Sequence, residues 1–524
     1  MKRRSFLKAG LAATLATPLA TPAIAQPVPT LRFIPQANLS VLDPVWTTAT
    51  VTFNHAYYVF DTLYATDSKG AHKPQMAEGH TVSADGRIWR FRLRDGLFFH
   101  DGEPVRAADC ATSLARWAKR DQFGQILDRA VDSWGTADDR TIEIKLKQPF
   151  PLLLAAIAKS DGPPFMMPER LAKTDAMTAV REVVGSGPFR FLADEYNSGS
   201  RMAYAKFDKY VPRQEAPDGS TGGKVAHFGR VVWNVISDPS TAGAALQNNE
   251  ADWWERPLVD LIPTLLKNPA IKAEVTDPAG RLSLARLNCL QPPFNDVRLR
   301  RAVLASVRQE DYMRASRGGD ETLWITSRSL FPRNTPYFQD HADLMPGDLD
   351  RARALLKEAG YAGQKVVIIN PTDFPDIGPH GLVTNDNLKK IGMNVELRES
   401  DWGTVIQRRA SREPSDKGGW SIFHTGGGAP AYGSPVTSPL VRGQGAKGWF
   451  GWWENARAEE LTEAWVAEPD PAAQAKIAHE LGRLALEEVA TVPVGQYYLQ
   501  TAYRTSLRDM VKGIAPFPWG IRPA

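Results

Sequence analysis

His479 and Glu480 stand where a zinc-peptidase helix carries its first metal ligand and its general base, but Arg483 fills the position one turn on where the second imidazole belongs. The pair reads as the polar face of a surface helix. Gly185-Ser186-Gly187 lacks the outer glycines of a nucleophile elbow and runs into Pro188, where an elbow needs a helix. Gly426-Gly427-Gly428 has the composition of a phosphate cradle, yet Pro430, Gly433 and Pro435 prevent the helix whose N-terminal N–H groups would hold the anion. The nine histidines are scattered, and Cys110 and Cys289 lie far apart, so no Cys/His cluster with metal-ligand spacing is present. No catalytic residue, metal site or cofactor is expected, and the chain reads as a non-enzyme.

What stands out is tryptophan, 15 in all, with Trp402, Trp420, Trp449, Trp452 and Trp453 in one stretch that also holds Tyr432. Two readings fit these rings: stacking on the apolar parts of a ligand in a concave site, or packing the core of an α/β lobe. The candidate ligand contacts are Trp402, Trp420, His424, Tyr432 and Trp449, with Asn38 and Trp46 added from the N-terminal segment.

These residues need elements to hold them. Trp89, Phe91 and Leu93 alternate with Arg90, Arg92 and Arg94, and Ile142, Ile144 and Leu146 alternate with Glu143, Lys145 and Lys147, the period of half-buried strands. Between them, 107–119 places Ala111, Leu114, Ala115 and Ala118 at helical spacing. Further on, Asp348 caps a stripe of Leu349, Ala352, Leu355, Leu356 and Ala359 that stops at Gly360. A buried strand at 366–369, a helix at 385–390 and a strand at Val395 and Leu397 then predict an α/β lobe with mostly parallel pairing. Asp470-Pro471 opens a long helix with Ile477, Leu481, Leu484 and Val489 as its stripe. Segments rich in Gly and Pro, 212–223 and 426–448, separate these units; a loop as long as the second is usually functional or mobile.

The length of 524 residues calls for two or three domains, and a composition of 43% hydrophobic and 23% charged residues is that of a globular protein. At the N-terminus, Met1-Lys2-Arg3-Arg4-Ser5-Phe6-Leu7-Lys8 leads into an apolar stretch over 9–19, and Ala23-Ile24-Ala25 presents small side chains to a signal peptidase. An export leader over residues 1–25 follows, and Arg3-Arg4-x-Phe6-Leu7-Lys8 is similar to twin-arginine signals. The stretch is too short to span a bilayer. The leader holds four positive residues and no acid, so the net charge of +4 falls to zero in the mature chain. Such a chain has no electrostatic footprint for nucleic acid or anionic membrane. The cysteines are expected to be two buried thiols, with a single bridge between them left open.

One long stretch has a recognisable pattern. It runs Pro74-x-Met76-Ala77, Ser83-Ala84-Asp85-Gly86, Trp89-x-Phe91-x-Leu93-Arg94, Gly96, Phe99-His100-Asp101-Gly102 and Pro104-Val105-x-Ala107-x-Asp109. Further stations are Gly185-Ser186-Gly187-Pro188-Phe189, residues 246–252, Pro293-Phe294-x-Asp296-x-Arg298-x-Arg300, Ala354-Leu355-Leu356-x-x-Ala359-Gly360-Tyr361 and Leu388-x-x-Ile391-Gly392. The whole resembles the family 5 extracellular solute-binding proteins, the dipeptide, oligopeptide and nickel receptors of ABC importers, over nearly all of the mature chain. The turns at Asp85-Gly86 and Asp101-Gly102 bracket a strand, so this signature builds a subdomain rather than touching ligand.

The resemblance implies an α/β fold of the periplasmic binding protein type: two hinged lobes with an extra subdomain in the N-terminal lobe. By motif order, 26–52, 183–278 and 492–524 form the first lobe, 53–182 the extra subdomain and 279–491 the second lobe. It further implies a periplasmic, monomeric receptor. That receptor would capture a peptide or peptide-like small molecule between its lobes and pass it to transmembrane permease subunits.

One departure bears on the ligand. In the family's peptide receptors an aspartate in a second-lobe loop, after a tryptophan-containing stretch, pairs with the ligand's amino terminus. Here the corresponding loop runs from Trp420 to Pro435, and no acid occurs between Asp416 and Glu454. A buried ammonium without an anion is strongly unfavourable. The expectation is therefore a ligand neutral or anionic at that end, which leaves open a non-peptide solute such as an opine, a sugar derivative or a metal chelate. An exported hydrolase is a more distant alternative, for which the sequence offers no clustered acid and base.

Overall fold

The computed structural model describes residues 29–524, so the leader over 1–25 lies outside the described residues. Three sheets organise the chain. The strand Ile88–Leu93 turns Phe91 and Leu93 inward and Arg90 and Arg92 outward, as its alternation requires. It pairs antiparallel with Thr141–Leu146, setting Phe91 opposite Ile142 and Trp89 opposite Ile144. Ala77–Val82 and Val131–Asp138 complete a four-stranded sheet. The helix Ala107–Ala118 packs on it through Cys110, Leu114 and Trp117.

The first large sheet has seven strands, in the order Ile271–Val275, Gln500–Arg504, Trp253–Trp254, Thr30–Ile34, Arg230–Asn234, Arg201–Lys206 and Phe189–Phe191. It thus collects strands from both ends of the described chain. Phe33, Tyr58, Tyr204 and Trp233 fill its core with tilted and edge-on ring contacts.

The second large sheet has six strands, in the order Trp324–Ile325, Thr491–Tyr497, Arg281–Leu287, Ile422–Gly428, Lys365–Pro371 and Asn394–Ser400. Its pairing is mixed rather than mostly parallel. Lys365–Pro371 runs parallel to Ile422–Gly428 and to Asn394–Ser400, whereas Arg281–Leu287 is antiparallel to both of its neighbours. The reason is the route of the chain. It enters this lobe along Arg281–Leu287 and returns to the first along Thr491–Tyr497, and an outgoing and a returning strand side by side must oppose each other. Thr491–Tyr497 is a strand of the second sheet, and the next strand, Gln500–Arg504, belongs to the first.

Helix ends follow their chemistry. Asp348 accepts the N–H groups of Asp350 and Arg351 at the start of Leu349–Glu358, and Asp470 accepts that of Ala473 at the start of Pro471–Glu488. The helix Gly378–Lys390 begins seven residues before the expected 385. Pro379 is tolerated there because a first-turn residue needs no N–H partner. Gly381 is needed because a Cβ would come within 2.0 Å of Asn370 Oδ1. Pro379 and Gly381 thus serve a helix start and a close packing contact.

The chain crosses between the large sheets at 276–280 and 498–499. The crossings touch: Gly280 has φ +71°, and a Cβ there would lie 2.9 Å from the Tyr497 carbonyl oxygen. Cys110 and Cys289 are free thiols, the first buried and the second partly exposed.

Candidate functional site

Charged residues cross from one lobe to the other beside these hinge segments. Glu255 and Arg256 follow the buried strand Trp253–Trp254 of the first lobe, while Asp376 precedes the helix Gly378–Lys390 of the second. Arg256 Nη1 donates to Asp376 Oδ2 at 3.2 Å across the lobes, and Arg317 holds the other oxygen of the same carboxylate. Arg256 Nε lies 3.7 Å from Glu255 Oε1. The Glu255 carboxylate also accepts the Gln36 N–H at 2.8 Å and Asn54 Nδ2 at 2.9 Å. All four charged side chains are less than a tenth exposed.

Burial disfavours the ionised form of each group, and the neighbours decide the outcome. Burial pushes the Asp376 carboxyl up, but Arg317 and Arg256 outweigh it and hold the group below its usual range. Glu255 goes the other way, because burial exceeds what Arg256 and its hydrogen bonds return. Burial and the neighbouring Arg281 lower the Arg256 guanidinium. Arg281 opens a strand whose seven residues are all buried. Burial works against its charge, yet Tyr497, Asp376 and Asp161 hold it above its ordinary value.

Arg256, Arg281, Glu255 and Asp277 line a cavity of about 40 Å³ together with Gln500 and Thr501, drawn from both lobes and the crossings between them. Small-molecule pockets run to several hundred Å³, so this cavity is too small to enclose a solute in the present arrangement.

The seven residues picked from sequence are spread over the molecule. Trp420 is fully buried, 4.9 Å from Phe423 and 5.8 Å from Trp452 between ring centroids, and its Nε1 donates to the Arg409 carbonyl. His424 sits inside the second sheet opposite Ala285. Its Nε2 meets Thr384 Oγ1 at 2.8 Å, and burial lowers its pKa to about 3. Trp402 packs edge-on against Phe374, and Trp449 lies under the Arg286 guanidinium at 5.2 Å. Asn38 accepts the Gly199 N–H at 2.7 Å in a first-lobe turn, and Trp46, 39% exposed, donates to the Met177 carbonyl at 3.3 Å.

Tyr432 feels the charges of the cleft: burial and the Asp161 carboxylate push its hydroxyl up, while Arg281 opposes them. Glu255, Arg256, Arg281, Arg317, Asp376 and Asp161 were not singled out from sequence. A signal existed for some of them: Glu255-Arg256 directly after Trp253-Trp254, and Arg281 at the head of an apolar strand, place charge where burial makes it costly.

Residues 71–447 match the family described as bacterial extracellular solute-binding proteins, family 5, middle region. A Sinorhizobium fredii protein described as a probable peptide ABC transporter periplasmic-binding protein is 38% identical over the full length of both chains. Two solved structures share the fold. The binding protein AgaA of A. tumefaciens R10, in complex with agropinic acid, has a TM-score of 0.78 at 19% identity, covering 94% of this chain and 99% of that one. The dipeptide-binding protein of Pseudoalteromonas sp. SM9913, in complex with Met-Leu, has a TM-score of 0.79 at 20% identity, covering 94% and 100%.

Proposed function

The chain belongs to the bacterial extracellular solute-binding proteins, family 5, and on that premise we propose that it is the periplasmic receptor of an ABC importer for a peptide or peptide-like small solute. The ligand bridges the lobes, stabilises their closed arrangement and presents it to the permease. The observation that carries this reading is the buried contact of Arg256 with Asp376. It joins two lobes connected by crossings at 276–280 and 498–499, so it exists in the closed arrangement and is lost on opening. A solute that supplies further contacts only in that arrangement shifts the population toward it. The peptide class draws support from the S. fredii relative and the Met-Leu complex.

Export of a monomer by the twin-arginine route, from the leader at 1–25, belongs to the same reading, as does a role in capture without catalysis. Of the sequence-derived contacts, Tyr432 is retained as a proposed ligand neighbour, with Arg281 beside it.

A second reading, an opine-type anionic solute, is favoured by the acid-free stretch between Asp416 and Glu454 together with Arg281 at the cavity, and the fold is shared with an agropinic acid complex. Calorimetric titration of purified protein with free dipeptides and N-carboxyalkyl amino acids separates the two. Saturable binding of dipeptides is the expected result, and binding of the second group alone favours the opine reading. Natively folded protein that binds neither contradicts the receptor assignment.

A further inference from the structure

Some charges at the closed cleft are already satisfied within the protein and others are not. Asp376 is held by Arg317 and Arg256, and Glu255 by Asn54, the Gln36 N–H and Arg256. Asp277 also faces Arg281 but caps its own turn, accepting the Ala279 N–H at 3.1 Å.

Two groups remain. Arg281 is 7% exposed and lines the cavity; it hydrogen-bonds Tyr497, but its Nε has no hydrogen-bond partner, and among the described residues no carboxylate oxygen lies within 4.0 Å of it. Asp161, from the extra subdomain, likewise has no ion pair or hydrogen bond to its carboxylate among the described residues, and burial raises it. Its neighbour Lys159 is committed to Asp121 at 2.5 Å. Asp161 nonetheless acts electrostatically on both Arg281 and Tyr432 of the second lobe.

The segment carrying Asp161 is firmly anchored. Tyr57 OH donates to the Ser160 carbonyl at 2.5 Å, Trp117 Nε1 donates to the Gly162 carbonyl at 3.0 Å, and Gly162, at φ +62°, packs on the Phe53 ring. An anchored segment that holds a carboxylate without an ion pair within electrostatic reach of a guanidinium that also lacks a carboxylate partner is costly unless something pairs with both.

We infer that Asp161 and Arg281 are the two poles of the solute site, Asp161 taking a protonated amine of the ligand and Arg281 its carboxylate, so that the ligand is a compact zwitterion. The inference rests on the receptor reading above and narrows it. The acid-free loop then needs no anion of its own, because the anion for an amine comes from the extra subdomain, far upstream in sequence.

The test uses full-length mature protein and calorimetry. Free dipeptides and N-carboxyalkyl amino acids are screened first, and the best binder is then compared with its N-acetyl and C-amide forms. In the wild type each blocked form is expected to bind about tenfold more weakly or worse, the scale of leaving one buried charge unpaired. In Asp161→Asn the N-acetyl and free forms should bind within about twofold of each other, and in Arg281→Gln the same should hold for the C-amide. Asp161→Glu and Asp277→Asn should keep the wild-type preference for a free amine. An undiminished acetylation penalty in Asp161→Asn, or its disappearance in Asp277→Asn, overturns the inference and leaves the receptor reading standing. So does equal binding of free and blocked forms by the wild type. Folded wild type that binds no zwitterion overturns both. If Arg281→Gln does not fold, the Asp161 comparison decides alone.

Discussion

The aromatic stretch around Trp420 and the charged cleft around Arg281 are both buried, yet they differ in how fully they are satisfied. Trp420 packs among Val367, Phe423 and Trp452, and its single donor is used. Arg281 keeps an unpartnered Nε, and Asp161 keeps an unpaired carboxylate. Rings that stand out in a sequence can be consumed entirely by packing. Charges that do not stand out become informative when folding brings them together and leaves them incompletely paired.

The strongest way to break this contrast is Trp420→Ala. Removing a fully buried ring should cost about 3–5 kcal/mol of apo stability, read as a fall in the denaturant midpoint. An unchanged midpoint with lost ligand affinity would move the ring from the core to the site. Next is Asp376→Ala, which strands Arg256 and Arg317. Breaking a buried pair costs about 3–5 kcal/mol where no water can enter. Because opening the lobes relieves part of that cost, the expected effect is a more open apo protein by small-angle scattering, with a smaller loss of global stability.

His424 sharpens the comparison through pH. Burial lowers it from 6.5 to about 3. The unfolded chain therefore binds more protons below pH 6.5, and the stability conferred by neutral His424 is present above that value and lost as pH falls toward 3. His424→Asn should flatten the fall in stability over that window by up to about 1.4 kcal/mol per pH unit. An identical slope in denaturation midpoints measured at several pH values would contradict the burial argument. The smallest effect is expected for Tyr432→Phe. Loss of one hydroxyl at the cleft should weaken binding by about 0.5–1.5 kcal/mol and leave the apo melting temperature nearly unchanged.

Much of the fold was legible in local patterns. The alternation around Phe91 and Ile142, the caps Asp348 and Asp470, and the signature through Asp109 each correspond to an element or motif in the structure. The mixed pairing of the second sheet was not, because strand direction depends on a chain that leaves the lobe and returns. The helix start at Gly378 was hidden because Gly and Pro there answer to Asn370 and to first-turn geometry. The charged cleft was hidden for a related reason. Asp161, Arg256, Arg281 and Asp376 come from distant segments, and nothing local to any of them marks its partners.

Capture between two lobes is tested most directly by small-angle scattering of the mature protein with and without a solute already shown by calorimetry to bind. A smaller radius of gyration is expected on binding, with Asp376→Ala starting from a larger one. A solute that binds saturably while the radius of gyration stays the same, in wild type and variant alike, would contradict it.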